Sequence, residues 1–386
     1  MLIKREITSK FEKLSGLYPI VAVVGPRQAG KTTFLKMQKA EKNINYVLFD
    51  DPDVRQIFDA DIKKFERQYL EGKQATILDE VQSAADPGQK LKYLADTDRK
   101  LWITSSSETI MGKNVLGYLV GRVSILRLYQ FSINEFLLSK NIIETTPQII
   151  ERESETHMQY GGYPKVVMTS EIDLKQTILR DLYETMILKD VARVFSIQDI
   201  NALERFSEYI AINIGCQLSY ESITQTIKLS FPTIKKYLDA LEKSYFLILI
   251  RPYFTNKNKE LSKQPKIYML DTGLRNILVK TIAIDGKIFE NYVLTELVKS
   301  GNIPKYWRTK TKTEVDFIIE KNNEIIPIEA KISETKIGRG LQSFIAEYKP
   351  ARAYVVVHKT GEKTMKAGNC TVKFVNILNL KKELES

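Results

Sequence analysis

Cysteine is scarce in this chain: 386 residues contain two, Cys216 and Cys370. Neither lies in CxxC spacing, which excludes a disulfide-stapled module and a cysteine-ligated structural zinc site. Histidine is as rare, and His157 and His358 stand apart in the sequence, as surface or packing residues rather than metal ligands. Long apolar runs are missing too. Stretches such as Tyr245 to Ile250 fall far short of the roughly 20 residues that span a bilayer. The opening Met1-Leu-Ile-Lys-Arg-Glu6 has no apolar leader segment. A soluble, cytoplasmic protein with no membrane partner is expected.

What remains is an ordinary globular composition, 43% hydrophobic and 27% charged. The length exceeds what one hydrophobic core organises, so several domains are expected. Lys and Arg number 58 against 47 Asp and Glu, a net charge of +11. That charge is uneven. Residues 1–150 hold 22 basic and 18 acidic residues (+4), residues 151–250 hold 11 and 14 (−3), and residues 251–386 hold 25 and 15 (+10). A localised positive field attracts a polyanion, of which nucleic acid is the commonest, although a solvated basic face has the same composition.

Pro19-Ile-Val-Ala-Val-Val24 is a short, continuous, β-branched apolar run, as expected of a strand buried on both faces of a parallel sheet. It enters Gly25-Pro26-Arg27-Gln28-Ala29-Gly30-Lys31-Thr32, followed by Thr33 and a helical pattern, which matches GxxxxGK[ST] in the order strand, loop, helix. Glycines let successive backbone N–H groups turn inward around phosphate oxygens at a helix amino terminus. Lys31 would reach the β- and γ-phosphates and Thr32 would bind Mg²⁺, so the expected cofactors are ATP and Mg²⁺.

A second apolar strand, Ala75 to Leu78, ends in Asp79-Glu80 and places two carboxylates at the edge where α/β folds put their ligands. Asp79 is expected to hold Mg²⁺ and Glu80 to orient or activate the attacking water. A third strand, Leu101 to Thr104, ends in Ser105-Ser106-Ser107, whose hydroxyls would either bond the γ-phosphate or cap a helix. Arg122 precedes the run Ile125 to Leu128. It would serve as an arginine finger, on a neighbouring subunit's nucleotide, or as a surface ion pair.

GPRQAGKTT, ILDEVQ, the serine turn, LVGRV and LRLYQFSINEF, in that order, resemble the prokaryotic AAA-type ATPases fused to a C-terminal domain of uncharacterised function. Ile3-Lys-Arg5 and Gly161-Gly-Tyr-Pro164 fit the same pattern. This chain departs from it at Ser105-Ser106, where the family commonly has a glycine, and at Gln130, where proline is common. The resemblance implies a P-loop fold and a homo-oligomer, either ring or dimer.

From Leu174 to Val194 the apolar spacing is helical and would close over the nucleotide. A helix from Ser219, a turn at Ser230-Phe-Pro232 and a helix from Thr233 to Ser244 with Ile234, Tyr237, Leu238 and Leu241 inward have helix-turn-helix spacing. Strands at 246–250 and 266–270, joined by a basic loop at 256–263, would complete a winged helix. Its lysines Lys228, Lys235, Lys236 and Lys243 would touch DNA phosphates, or the module would only pack against other domains.

Glu290 lies on an amphipathic helix, Asp316 on the strand Glu314 to Glu320, and Glu329 and Lys331 on one face of the strand Ile325 to Lys331. Two convergent carboxylates and a lysine suit Mg²⁺-dependent phosphodiester cleavage. Asp316, Glu329 and Glu290 would hold metal and Lys331 would position hydroxide. The arrangement resembles the PD-(D/E)XK nuclease superfamily; an exposed charge cluster, or a nuclease fold kept only for binding, is the other reading.

The expected architecture is α/β throughout: a P-loop NTPase parallel sheet at 1–140, a helical lid and winged helix at 141–270, and a restriction-endonuclease-like α/β domain at 281–380. Its expected partner is nucleic acid, DNA ahead of RNA. A nucleotide-gated regulatory or scaffold ATPase, whose C-terminal domain binds a partner without cleaving, is the alternative.

Overall fold

A computed structural model describes residues 2–38, 43–105, 112, 115–333, 336–359 and 361–385. The chain divides into two compact units. The first comprises Met1–Gln130 with Leu188–Ile197 and Lys243–Tyr245, and the second Phe131–Ile187, Gln198–Glu242 and Phe246–Ser386. Residues 141–270, read above as one region, are shared between the two.

In the first unit, strands β1 (Ile20–Val24), β2 (Ile44–Leu48), β3 (Ala75–Asp79), β4 (Leu101–Ser105) and β5 (Val123–Arg127) form one sheet in the order β2-β3-β4-β1-β5. Every pairing is parallel. All five residues of β1, β3 and β4 are buried, which is why these segments read as continuous apolar runs rather than alternating ones. Helices α1 (Thr8–Leu17) and α2 (Lys31–Gln38) contribute Phe11 and Phe34 to the core. Phe11 meets Phe34 and Trp102 edge-on, with ring centroids 5.2 and 4.9 Å apart.

In this sheet order β4 lies between β1, which feeds the glycine loop, and β3, which ends in Asp79. All three strands point the same way, so their carboxyl ends share one edge and form the floor of a single site.

The second unit contains the helix pair Tyr220–Ile227 and Phe231–Lys243, followed by an antiparallel hairpin of β6 (Leu247–Ile250) and β7 (Lys266–Met269). Ile234, Tyr237, Leu238 and Leu241 are buried, as their spacing predicts. Two details differ from expectation. Ser230-Phe-Pro232 is no free turn: the helix begins at Phe231, because proline is tolerated in a first turn whose N–H groups have no helical partner. The segment between the hairpin strands is helical from Lys257 to Ser262, capped by Asn256, and Lys257 is bonded to Glu260 and Glu320.

A second sheet has the order β12-β13-β11-β10-β9-β8, with β8 at Lys305–Arg308, β9 at Glu314–Lys321, β10 at Glu324–Lys331, β11 at Arg352–Val357, β12 at Lys363–Ala367 and β13 at Cys370–Val375. Strands β9 and β10 pair antiparallel. Their two-residue link, Asn322 and Asn323, takes φ of 51° and 64°, the left-handed turn that asparagine tolerates and that matches hairpin twist. The helix Gly286–Lys299 is buried along most of its length.

Candidate functional site

The glycine loop leaves β1 with φ of 148° at Gly25, 59° at Gln28 and 95° at Gly30. A Cβ at Gly25 would lie 2.1 Å from the Leu128 carbonyl oxygen, so both the space and the backbone angle require glycine. The buried Arg5 fastens the loop, donating to the Ala29 oxygen at 2.8 Å and to the Tyr129 oxygen at 2.6 Å. Lys31 begins α2 and turns back, donating to the carbonyls of Gly25 at 2.9 Å and Pro26 at 2.8 Å. Burial pulls its ammonium down to about 8; Glu80, Asp190 and Asp79 hold it up and Arg27 adds to the fall. Thr33, in the first turn of α2, is exposed.

Asp79 is 4% exposed and gathers three hydroxyls. Thr32 donates to both its oxygens at 3.0 Å, Tyr46 donates to Oδ2 at 2.7 Å, and Thr104 donates to Oδ1. The same Thr104 oxygen accepts the Glu80 amide at 3.1 Å. Glu80 sits at φ 57°, and burial holds its carboxyl above the ordinary range despite the opposing pull of Lys31. Gln82 donates to it. Tyr46 and Thr104 were not singled out by sequence motif. Their signal is topological: β2 and β4 flank β3, so Tyr46, in the middle of β2, and Thr104, near the end of β4, reach Asp79 from either side. Of the three serines, Ser105 is buried at the end of β4; Ser106 and Ser107 lie outside the described residues.

Arg122 and Arg27 stand at opposite edges of the sheet. The Ile20 amide donates to the Arg122 carbonyl at 3.1 Å, which puts Arg122 at the amino edge of the parallel sheet, opposite the edge where the loop leaves β1. A five-residue strand separates those edges by about 16 Å. Arg122 therefore is no finger for its own nucleotide site; its Nε lies 2.6 Å from Asp96, the surface ion pair of the other reading. Arg27, named only as a loop residue, is instead clamped. Its Nε donates to both oxygens of Asp190 at 3.0 and 2.9 Å, and its Nη2 to Oδ1 at 2.7 Å.

In the second sheet Asp316, Glu329 and Lys331 come together. Lys331 Nζ is 3.8 Å from Asp316 and 4.0 Å from Glu329, and the Ala330 amide donates to Asp316 at 2.8 Å. Among the described residues, however, the carboxylates whose oxygens approach within 4.8 Å of one another are Glu290, Glu314 and Asp316. Glu329, expected to be a ligand, accepts the Leu341 amide at 3.2 Å in the first turn of the helix Arg339–Tyr348. A cation is already present. Lys266, with a side chain 2% exposed, lies 3.0 Å from Glu290 and is also paired with Glu314, and Tyr268 donates to the same Glu290 oxygen. Burial would lower the Lys266 ammonium, but Glu290, Glu314 and Asp316 outweigh it and hold it raised. Burial, reinforced by Glu290, pushes the Asp316 carboxyl up to about 7 against Lys331 and Lys266.

His157 and His358 are buried packing residues: His157 is 3.0 Å from the Tyr292 hydroxyl and stacks on Phe136, and His358 lies 3.3 Å from Glu155. No helix among the described residues is long and apolar enough to cross a membrane.

Comparison with known proteins divides the chain in three. Residues 17–137 match the family described as an AAA domain, whereas residues 151–284 and 285–380 match two families described as domains of unknown function. The last match holds Glu290, Asp316, Glu329 and Lys331 and carries no nuclease assignment. An uncharacterized protein of Haemophilus influenzae is 28% identical over 332 residues, 80% of this chain and 82% of that protein. Another, of Methanocaldococcus jannaschii, is 25% identical over 346 residues, 84% of this chain and 78% of that one. The Walker-type ATPase of Pyrococcus abyssi is 13% identical, with a TM-score of 0.48, and the match covers 72% of this chain and 96% of that one. The residues of the glycine loop and the carboxylates ending β3 fall within the AAA-domain match, so this part of the chain is similar to that family in both fold and loop motif.

Proposed function

We propose that the chain hydrolyses ATP at the edge formed by β1, β4 and β3, and that it acts on DNA. The observation that carries the first part is Asp79, buried at that edge and hydrogen-bonded to Thr32. Loop amides at a helix amino terminus suit phosphate oxygens, and Lys31 exchanges two carbonyl bonds for phosphate contacts. Thr32 and Asp79 are the oxygen donors suited to Mg²⁺, which when bound would draw charge from the γ-phosphoryl group. Glu80, its backbone pinned by Thr104, orients the attacking water. DNA as the target is supported by the +10 charge of residues 251–386 and by the exposed Lys228, Lys235, Lys236 and Lys243. The test is steady-state ATP hydrolysis by wild type and Lys31→Ala, with and without double-stranded DNA at two salt concentrations. Stimulation by DNA that Lys31→Ala abolishes is expected; basal hydrolysis indifferent to DNA would move the reading to a regulatory or scaffold ATPase.

A second activity, Mg²⁺-dependent cleavage of that DNA, is favoured by the approach of Lys331 to Asp316 and Glu329 on adjacent strands. The oxygen donors Glu290, Glu314 and Asp316 suit a hard cation, with Lys266 as its competitor. Nicking lost in Asp316→Asn but kept in Lys31→Ala supports it. Intact DNA throughout would make the second sheet a binding surface.

A further inference from the structure

Asp190 is the one carboxylate clamping the P-loop arginine that no motif announces, 163 residues downstream of Arg27. It lies on a π-helical stretch, Met186–Ala192, a geometry that is rare and recurs at functional sites. That position is fixed from several sides. The Ser244 hydroxyl donates to the Asp190 carbonyl at 3.0 Å, Val191 and Ala192 are buried, and the Asp190 side chain is only 6% exposed. The chain enters the first unit twice to build this support, at Leu188–Ile197 and at Lys243–Tyr245.

The contact is directional. Guanidinium has two edges that can pair with planar anions, and the Nε–Nη2 edge of Arg27 is docked on Asp190. Its Nη1 has no hydrogen-bond partner among the described residues. An arginine third in the phosphate loop, held by one edge and with the other open, is set to receive phosphate oxygens. Arg122, at the far edge of the sheet, cannot do so within the same chain.

We infer that Arg27 is a catalytic residue, a finger supplied in cis to the γ-phosphoryl group, and that Asp190 is its positioning residue. The inference rests on the ATP-hydrolysis reading. In the step itself the bond between the γ-phosphorus and the oxygen bridging to ADP breaks, and a bond from the γ-phosphorus to water oxygen forms. The water proton passes to Glu80 or to the departing phosphate. Arg27 and Asp190 exchange no proton. Arg27 meets the negative charge shared among the phosphoryl oxygens, and Asp190 keeps its guanidinium from swinging to solvent.

The experiment measures kcat, KM and the affinity for a fluorescent ATP analogue in wild type, Lys31→Ala, Arg27→Ala, Arg27→Lys, Asp190→Asn and the Arg27→Ala/Asp190→Asn double variant. Arg27→Ala should lower kcat by about 1000-fold. Asp190→Asn should lower it by about 100-fold, the cost of misplacing a group by about 1 Å, with analogue affinity little changed. The double variant should be no slower than Arg27→Ala alone, because Asp190 acts only through Arg27; a merely structural role would multiply the losses. Wild-type kcat in Asp190→Asn, or multiplied losses, overturns the inference. Should Asp190→Asn fail to fold, Arg27→Lys decides: it keeps the charge without the two-edged fork, and wild-type kcat there overturns the inference too. Wild type no faster than Lys31→Ala overturns both the inference and the reading beneath it. Lys31-dependent hydrolysis indifferent to Arg27 overturns the inference alone.

Discussion

Thr32 Oγ1 lies 3.0 Å from both carboxylate oxygens of Asp79, although 47 residues separate them. The bond joins the end of the glycine loop to the end of β3, the two places from which the proposed Mg²⁺ of the nucleotide would be held. Asp79→Asn keeps the shape and loses the charge. It is expected to retain nucleotide affinity in the absence of Mg²⁺, to lose most of the gain that Mg²⁺ brings, and to slow hydrolysis by about 100-fold or more. Titrating a fluorescent ATP analogue with and without Mg²⁺ checks this, and an unchanged Mg²⁺ effect would show that Asp79 is not the metal carboxylate.

Lys31 sets a pH dependence. Its ammonium, pulled down to about 8 by burial, loses its proton just above neutrality, whereas phosphate favours the charged form. ATP affinity is therefore expected to be flat below pH 8 and to fall above it, by up to about tenfold per pH unit until the pKa of the bound state is passed. Calorimetry at pH 9 in buffers of different ionisation enthalpy should register proton uptake on binding. Affinity that is level from pH 7 to 9.5 contradicts this account.

Gly25 is where the loop has no freedom to change. An added Cβ would overlap the Leu128 carbonyl, and φ of 148° is strained for any side chain. Gly25→Ala is expected to cost about 2–4 kcal/mol of stability, read as a lower urea midpoint with an unchanged slope. Gly72, which also has positive φ but nothing within 4 Å of its Cβ, should cost less when changed to alanine.

The parts legible in the sequence were those contiguous in it. Gly25 to Thr32 announce the loop because every participating group lies within eight residues, and the apolar run ending at Asp79 announces the second half by the same logic. Thr104 carries no signal of its own in the sequence, since only the order β3-β4-β1 reveals that the end of β4 stands between loop and carboxylate. Arg122 illustrates the reverse. A residue just before a parallel strand must lie at the amino edge, far from a loop that follows a neighbouring strand, and spacing alone conceals which edge matters. Asp190 and Lys266 were invisible for a third reason: each acts through a partner remote in sequence, Arg27 in one case and Glu290 and Glu314 in the other. The Gly161-Gly162 pair has a structural account. Gly161 has φ of 74° and Gly162 donates its amide to Asp271, the residue that caps the helix Thr272–Val279.

If the second sheet binds a divalent cation, that cation would compete with Lys266 for the same oxygens, which yields a test independent of any cleavage assay. Lys266→Met removes the ammonium and leaves Glu290 and Glu314 facing each other beside Asp316, a buried pair broken on one side, at a cost of about 3–5 kcal/mol. A divalent cation can replace the lost charge. Millimolar Mg²⁺ should then raise the melting temperature of Lys266→Met well above its effect on wild type. The gain should depend on pH with a definite sign. Asp316, pushed up to about 7 with Lys266 in place and higher once that ammonium is removed, must shed its proton to bind metal, so the stabilisation should shrink as pH falls through and below neutrality. An equal Mg²⁺ effect on wild type and variant would mean that Lys266 does not occupy the cation position. No effect on either would mean that the three carboxylates hold an ammonium and nothing else.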